Sequence, residues 1–377
     1  MFIKIGIRKN LLYPLLFILF LFLRRVIKLI LEEFLLDKKK TTFIMLVLIY
    51  FFQFIIGLIN LYQDKKSEKQ EEGKKINGIE LIQSVINLEA PDSNIKIILL
   101  IFFSAYFELI GALTRRYLTQ DLEKDRYDEY HAKFRSLEIC LSSMLSSLTL
   151  NIKIHKHQSF SLIIIVICLL IVFILDFITE EKIHFLKNIG SVFISSICRV
   201  YLDIIEKYLF EVDFVELYKL MAFESIFNFI FISLLYFFEK PRKEFENLCN
   251  TDFLKIFFIF FLLIVYSIFT WFKNVYRRFT IKFYSPMTRA LAESAIDPIL
   301  IGYGKYKGDY EIFPFIITIS CSIIMIFCSC IYNEIFILYC CGLERETYHE
   351  ITSRSYTLEM INEYKEEKEE DERDSIS

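Results

Sequence analysis

The chain has 377 residues, of which 55% are hydrophobic and 24% are charged, and its formal net charge is −3. Long apolar runs exclude an intrinsically disordered chain, and the nearly balanced charge gives no reason to expect nucleic-acid binding. A membrane-spanning helix takes roughly 20 apolar residues, so the chain can supply about ten of them. We therefore expect an all-α membrane protein with ten transmembrane helices.

Apolar stretches separated by charged clusters place the ten helices along the chain. Their predicted limits are 11–35, 41–62, 95–116, 134–150, 159–178, 186–208, 215–238, 252–273, 283–301 and 312–341. The N-terminal stretch resembles a signal peptide but has no small-residue cleavage site, so we interpret it as a retained first span. The fourth and ninth helices are short and polar, which suits helices buried among others better than helices that face lipid.

Two charged segments lie outside the predicted helices. Residues 63–94 contain the run DKKSEKQEEGKK and then apolar residues at helical spacing, which predict a cytosolic loop with a short helix at the membrane surface. Residues 343–377 end in EYKEEKEEDERDSIS, which predicts a disordered acidic tail. Ten crossings put both termini on one side of the membrane, and Lys4, Arg8 and Lys9 indicate that this is the cytosolic side.

The predicted helices contain an internal repeat, because four of the first five match the helix that comes five places later. The matches are RVIKLILEEFL from Arg25 with RVYLDIIEKYL from Arg199, FFQFIIG with MAFESIFN, LTRRYLT with VYRRFTI, and RSLE with RALAE. They divide the chain into two five-helix repeats, residues 1–180 and 181–342. Since each repeat has an odd number of crossings, the second is inverted relative to the first. Transporters built from inverted repeats hold their substrate near the midplane, between the halves.

Charged side chains inside predicted spans are the candidate site residues, because a charge in lipid is costly unless it is paired or faces water. Arg135 with Glu138 and Arg289 with Glu293 are spaced to share a helix face. Such arginines can bind a phosphate or carboxylate, whereas the carboxylates can bind a cation or a proton. The alternative is that these charges only pair with one another and hold short helices together, or that they lie at the water interface. The predicted substrate-binding residues are Arg289, Glu293, Asp297, Glu108, Arg135, Glu138, Arg199, Glu224 and Asn228.

Most of the chain resembles a known family at low identity, most strongly from Cys198 to Glu344. The segment CRVYLDIIEKYLFEVDFVELYKLMAFESIFNFI, from Cys198, is similar to the sixth and seventh spans of the drug/metabolite transporter superfamily, most of all its nucleotide-sugar-transporter-like solute carriers. The stretch from Tyr284 to Glu293 resembles the family's SP-x-x-R-x-L segment, which lines the substrate cavity in family members. The chain departs from the family pattern at Ser225, where a glycine is expected, and at Asn228, where a small residue is usual.

This resemblance implies a ten-helix, alternating-access transporter in an endomembrane of the Golgi, ER or vacuolar type, with cytosolic termini. We expect it to move a small anionic or nucleotide-linked solute such as a nucleotide sugar. The resemblance does not identify the solute. Two alternatives stay open: an exporter of cationic amphiphiles or metabolites on the same fold, and a membrane scaffold without transport that acts through its long loop and tail.

Other motifs carry little chemistry. The sequence has no glycine-rich phosphate loop, no Ser-His-Asp order and no HExxH helix, so we expect neither an enzyme nor a cofactor. The HKHQ segment from His155 offers two histidines without a third ligand, so we assign no metal site there. Cys340 and Cys341 end the tenth predicted helix and are candidate S-palmitoylation sites. The sequence leaves open whether the chain forms a homodimer.

Overall fold

The computed structural model describes residues 2–5, 12–34, 47–59, 62, 91–118, 130–151, 153–179, 182–239, 253–307, 312–339, 343 and 347. The elements in these ranges are β1 (Phe2–Ile5), α1 (Leu12–Phe34), α2 (Val47–Ile59), α3 (Pro91–Leu118), α4 (Arg135–Leu150), α5 (Lys156–Thr179), α6 (Lys182–Glu211), α7 (Leu217–Glu239), α8 (Phe253–Phe283), α9 (Pro286–Ser294), α10 (Asp297–Lys307), α11 (Ile312–Tyr332) and β2 (Phe336–Tyr339). The described part of the chain is therefore helical, as predicted, apart from two short strands.

Five described helices are long and apolar enough to cross a membrane, namely α5, α6, α7, α8 and α11. Of these, α5 and α11 are the most apolar and bury the smallest share of their residues. Large apolar side chains on their outer faces, such as Ile163, Ile178 and Ile323, are more than half exposed. An outward apolar surface on long helices is suited to lipid rather than water. The chain is thus a helical membrane protein.

The helices follow the predicted limits within a few residues, except near the C-terminal part of the bundle. The predicted eighth span stops at residue 273, whereas α8 continues to Phe283. The predicted ninth span is two helices, α9 and α10, that meet at Ala295 and Ile296. Ser285 caps α9, because its hydroxyl accepts the N–H of Thr288 at 3.0 Å. Pro298 has no N–H to continue the α9 hydrogen-bond ladder, and a new helix begins at Asp297.

The predicted tenth span, 312–341, is wrong in its last part, because α11 ends at Tyr332 and β2 follows. Glu334 adopts a left-handed φ of 58°. The N–H of Ile335 donates to the carbonyl of Cys330 at 2.8 Å. This six-residue closure is the Schellman arrangement that ends many helices.

Strands β1 and β2 pair antiparallel, with Phe2 opposite Tyr339 and Ile5 opposite Phe336. The pairing holds the segment before α1 beside the segment after α11, at one end of the bundle. His157, at the start of α5, lies at the same end, 3.5 Å from Glu334. We call this the strand end.

Helix packing follows a simple pattern. α1 packs against α8, α3 against α6, and α5 against α11. The short, serine-rich α4 packs against α6 and α9 in the interior. One apolar cluster joins α4, α5, α6, α9 and α11, and a second joins α3, α6, α7 and α8. These two clusters flank the centre of the bundle, where polar side chains meet.

Gly57 lets α2 approach α7 closely. A Cβ at this position would lie 3.1 Å from the Cβ of Ala222 and 3.2 Å from its Cα. We expect Gly57→Ala to lower the free energy of unfolding by about 1–3 kcal/mol relative to Gly190→Ala, because a backbone atom cannot move aside easily. Gly190 in α6 is the matched control, since an added Cβ there meets nothing within 4 Å. Thermal unfolding in detergent measures both variants, and equal midpoints would contradict this packing.

Candidate functional site

A continuous network of ion pairs runs through the centre of the bundle. It joins side chains from α4, α6, α7, α8, α9 and α10, and nearly all of them are buried. Its members are Arg135, Glu138, Arg199, Asp203, Glu206, Glu224, Arg277, Arg278, Arg289, Glu293 and Asp297. Buried charges that lack a partner are strongly destabilising, so this degree of pairing is what allows them to lie inside the bundle.

Two arginines and two glutamates form the core of the network where α4 meets α9. Arg135 Nη1 lies 3.0 Å from Glu138 and 3.4 Å from Glu293. Arg289 Nη1 lies 2.6 Å from Glu138 and 2.9 Å from Glu293. Each arginine therefore reaches both glutamates, and the two pairs predicted within single helices also bind across the two helices.

Two further residues complete this core. Asp297, at the start of α10, lies 3.3 Å from Arg135 Nη2. Arg199 of α6 places Nη1 3.2 Å from Glu293 and 3.4 Å from Glu138. Six of the predicted site residues thus lie together in one cluster of alternating charge.

Asp203 of α6 connects this core to α8. Its carboxylate accepts hydrogen bonds from Arg289 and from Arg277 Nη1, the latter at 2.6 Å. Arg277 also pairs with Glu206, one turn further along α6. Asp203 and Glu206 therefore present two carboxylates on one face of α6 to the arginines of α8.

The network ends on α7. Arg278 Nε donates to Glu206 at 3.0 Å, and the Arg278 guanidinium also pairs with Glu224. Glu224 in turn accepts a hydrogen bond from the hydroxyl of Ser104 in α3. The predicted site residue Glu224 is thus far along the chain of pairs from Arg135 and Asp297.

Glu108 and Asn228 form a separate pair. The Asn228 amide nitrogen donates to Glu108 Oε2 at 3.0 Å. Within the described ranges, Glu108 has no salt-bridge partner, and its Oε1 accepts no hydrogen bond. This carboxylate therefore differs from those of the network, each of which contacts at least one arginine.

A small polar cavity lies beside the network. Its volume is about 60 Å³, and α3, α6, α8 and α9 form its wall. That volume holds a few water molecules or a small ion. Sites for drug-sized ligands measure about 300–1,000 Å³. A nucleotide sugar would therefore enter only after the surrounding helices separate.

Four predicted site residues line this cavity and five do not. Glu108, Arg199, Arg289 and Glu293 contribute to its wall. The other five lie behind the wall or on α7, and they are Arg135, Glu138, Asp297, Glu224 and Asn228. The structure thus divides the predicted set into residues that border open space and residues that contact only other side chains.

Lys273 is a cavity residue that sequence reasoning missed. It lies on α8 and lines the cavity, and the charges with the largest effect on it include Arg24, Glu293 and Arg277. Among the described residues it forms neither a salt bridge nor a hydrogen bond. The predicted eighth span stops at this position, which puts Lys273 at a helix end rather than inside the bundle. The apolar residues that follow, in RRFTIKF, are the signal that the helix continues.

Several predictions fall outside the described residues. They concern Cys340 and Cys341, most of the 63–94 loop, and the tail beyond residue 347. Leu343, at the predicted start of the tail, packs against Ile331 and Leu338. Within the described part of the chain, no three His, Cys, Asp or Glu side chains are grouped so that they could hold a metal ion.

Comparison with known proteins does not assign this chain to a family. The segment from Cys198 contains Arg199 and Asp203, and the segment from Tyr284 to Glu293 contains Arg289. Both segments therefore supply part of the ion-pair network. No model of a known protein family matches the chain, however, and no curated protein matches it.

Proposed function

We propose that the protein is a transporter with two inverted five-helix repeats, and that a small solute crosses the membrane through the polar cavity between them. The observation that carries this proposal is the cavity itself. It lies beside the crossing of α4 and α9, the two helices that the sequence repeat relates to each other. Glu108 and Lys273, which carry opposite charges and form no salt bridge among the described residues, both line it. A network with a purely structural role would have no need of such charges next to open space.

The packing of the helices supports the repeat. The repeat equates α1 with α6, α3 with α8, α4 with the broken helix α9–α10, and α5 with α11. Under this exchange the α1–α8 contact becomes the α6–α3 contact, and the α4–α6 contact becomes the α9–α1 contact; all four are present. The α4–α9 and α5–α11 contacts map onto themselves. Such a pattern is expected when a pseudo-twofold axis relates two halves.

Contacts near the helix ends support the inversion. Thr288 at the start of α9 donates to Asn333, just before β2, at 2.8 Å, so the turn between α8 and α9 lies at the strand end. Lys207 near the end of α6 donates to the carbonyl oxygens of Lys282 and Tyr284 beside this turn, at 3.1 and 2.9 Å. At the opposite end, Lys133 before α4 lies 3.8 Å from Asp176 of α5. α1 thus begins at the strand end, whereas the end of α6 lies there, so repeat-related helices run in opposite directions.

The cavity favours a small charged solute over the alternatives. Seven of the eleven residues that line it are charged, which disfavours a cationic amphiphile with a large apolar part. A nucleotide-linked solute requires the halves to separate further. We further propose that the strand end faces the cytosol, because basic residues precede α1, and that the protein resides in an endomembrane.

Solute flux tests the proposal. The full-length protein, purified and reconstituted in vesicles, is loaded with labelled amino acids, sugar phosphates and nucleotide sugars, each in a separate preparation. We expect protein-dependent release of at least one class, and release no faster than from protein-free vesicles in every preparation would contradict transport.

Deleting residues 348–377 separates a transporter from a scaffold. The cut follows Thr347, which is buried, so the packed part of the chain is kept. We expect the deletion to leave solute release unchanged, because every residue that lines the cavity lies between Phe107 and Glu293. A scaffold that acts through its tail would instead lose its function.

A further inference from the structure

The cavity has two charges of opposite sign that its other wall residues do not neutralise. Those other charged residues pair among themselves, since Arg199 pairs with Glu293, and Arg289 and Arg277 both pair with Asp203. Lys273 and Glu108 remain, and neither has a salt-bridge partner among the described residues. They lie on different helices, α8 and α3, and both line the same cavity.

Lys273 forms the cationic pole of the cavity. The side chains with the largest electrostatic effect on it are Arg24, Arg277 and Arg199, together with the carboxylate of Glu293. An ammonium group in such surroundings gains from an anion placed beside it. A carboxylate can accept hydrogen bonds from it at close range.

Glu108 forms the anionic pole. Asn228 satisfies one of its carboxylate oxygens. The second oxygen can accept a hydrogen bond, and the ammonium group of a solute carries three N–H donors. A simple anion would pair with Lys273 alone, while a simple cation would pair with Glu108 alone.

We propose that this cavity binds a small zwitterion, with the carboxylate of the solute at Lys273 and its ammonium group at Glu108. The inference rests on the proposed transport function and names the class of solute. Only a solute that carries both charges pairs both poles at once. The volume of about 60 Å³ limits the solute in this conformation to a compact molecule.

Ligand-induced stabilisation tests the pairing. The thermal unfolding midpoint of the purified full-length protein is measured with glycine and β-alanine, which carry both charges, and with acetate and methylammonium, which carry one each. We expect the zwitterions to raise the midpoint and the single ions to leave it unchanged at equal concentration. If acetate alone raises the midpoint as much as glycine and β-alanine do, the zwitterion proposal is overturned.

Two variants assign the poles. Lys273→Met and Glu108→Gln should each weaken the apparent affinity for the zwitterions by about tenfold or more, because each removes one charge-assisted contact. Lys273→Arg should retain much of it. Lys153→Met and Glu211→Gln are matched controls, since both side chains are exposed and far from the cavity. Unchanged affinity in both cavity variants would overturn the proposal.

The ligand-stabilisation experiment and the flux experiment can fail independently of each other. If zwitterions stabilise the protein but no solute is released from vesicles, the transport function fails and the ligand class stands. If vesicles release solutes but zwitterions neither bind nor compete, transport stands and the zwitterion proposal fails. Neither pole variant removes a partner from the ion-pair network, so both should fold with an unfolding midpoint close to that of the original protein.

Discussion

Replacing Arg289 with alanine should lower the free energy of unfolding by about 3–5 kcal/mol, the usual loss when one partner of a buried ion pair is removed. Arg289 is only 1% exposed and contacts Glu138, Glu293 and Asp203. Its removal takes one positive partner away from three buried carboxylates, which then have only the remaining arginines to pair with. Few side chains in the described part of the bundle have so many charged partners.

Denaturation in detergent measures this loss. Arg24→Ala is the matched control, because Arg24 is only half-buried and stacks on Tyr266 at 5.7 Å without a salt bridge in the described residues. A cation–π contact at a half-buried site contributes about 0.5–2 kcal/mol, so the control should lose clearly less than Arg289→Ala. If Arg289→Ala unfolded at the original midpoint, the network could not be what holds α4, α6 and α9 together.

Neutralising Arg278 and Glu224 together should cost less than the sum of the single changes. Arg278→Met leaves the buried Glu224 without an arginine, which costs about 3–5 kcal/mol, whereas Glu224→Gln leaves Arg278 paired with Glu206 alone and should cost less. The double variant Arg278→Met/Glu224→Gln removes both charges, and the amide oxygen introduced at position 224 can still accept the hydrogen bond from Ser104. We expect a coupling of about 0.5–3 kcal/mol in a double-mutant cycle.

The same cycle provides its own control. Arg277 remains beside Glu206 in every variant, so Glu206 keeps a partner throughout. If the losses in the free energy of unfolding of the two single variants add up to that of the double variant within about 0.3–0.5 kcal/mol, Arg278 and Glu224 are not energetically paired. That outcome would contradict the geometry of the network on α7.

Much of the fold could be predicted from the sequence, because long apolar runs give helices in a membrane and little else. The errors have local causes. The end of α11 was missed because Glu334, not glycine, takes the left-handed position of its cap. The break between α9 and α10 was missed because a proline inside an apolar stretch can also kink a continuous helix.

The candidate site could be predicted only in part. Spacing within a helix correctly indicated that Arg135 faces Glu138 and that Arg289 faces Glu293. Contacts between helices depend on packing that no single sequence displays, so the link from Asp203 to Arg277 was not foreseen. Lys273 was missed for a related reason, since its depth in the bundle follows from where α8 ends.

The accessibility of Asn274 from the two sides of the membrane tests most directly whether the cavity opens alternately. Asn274 is 5% exposed and lines the cavity. In oriented vesicles, a membrane-impermeant thiol reagent should label Asn274→Cys above the wild-type background when it is added outside and also when it is trapped inside. Phe214→Cys, at an 82% exposed position between α6 and α7, should react from one side only. Labelling of Asn274→Cys from a single side, or from neither, would contradict a cavity that alternates between the two faces.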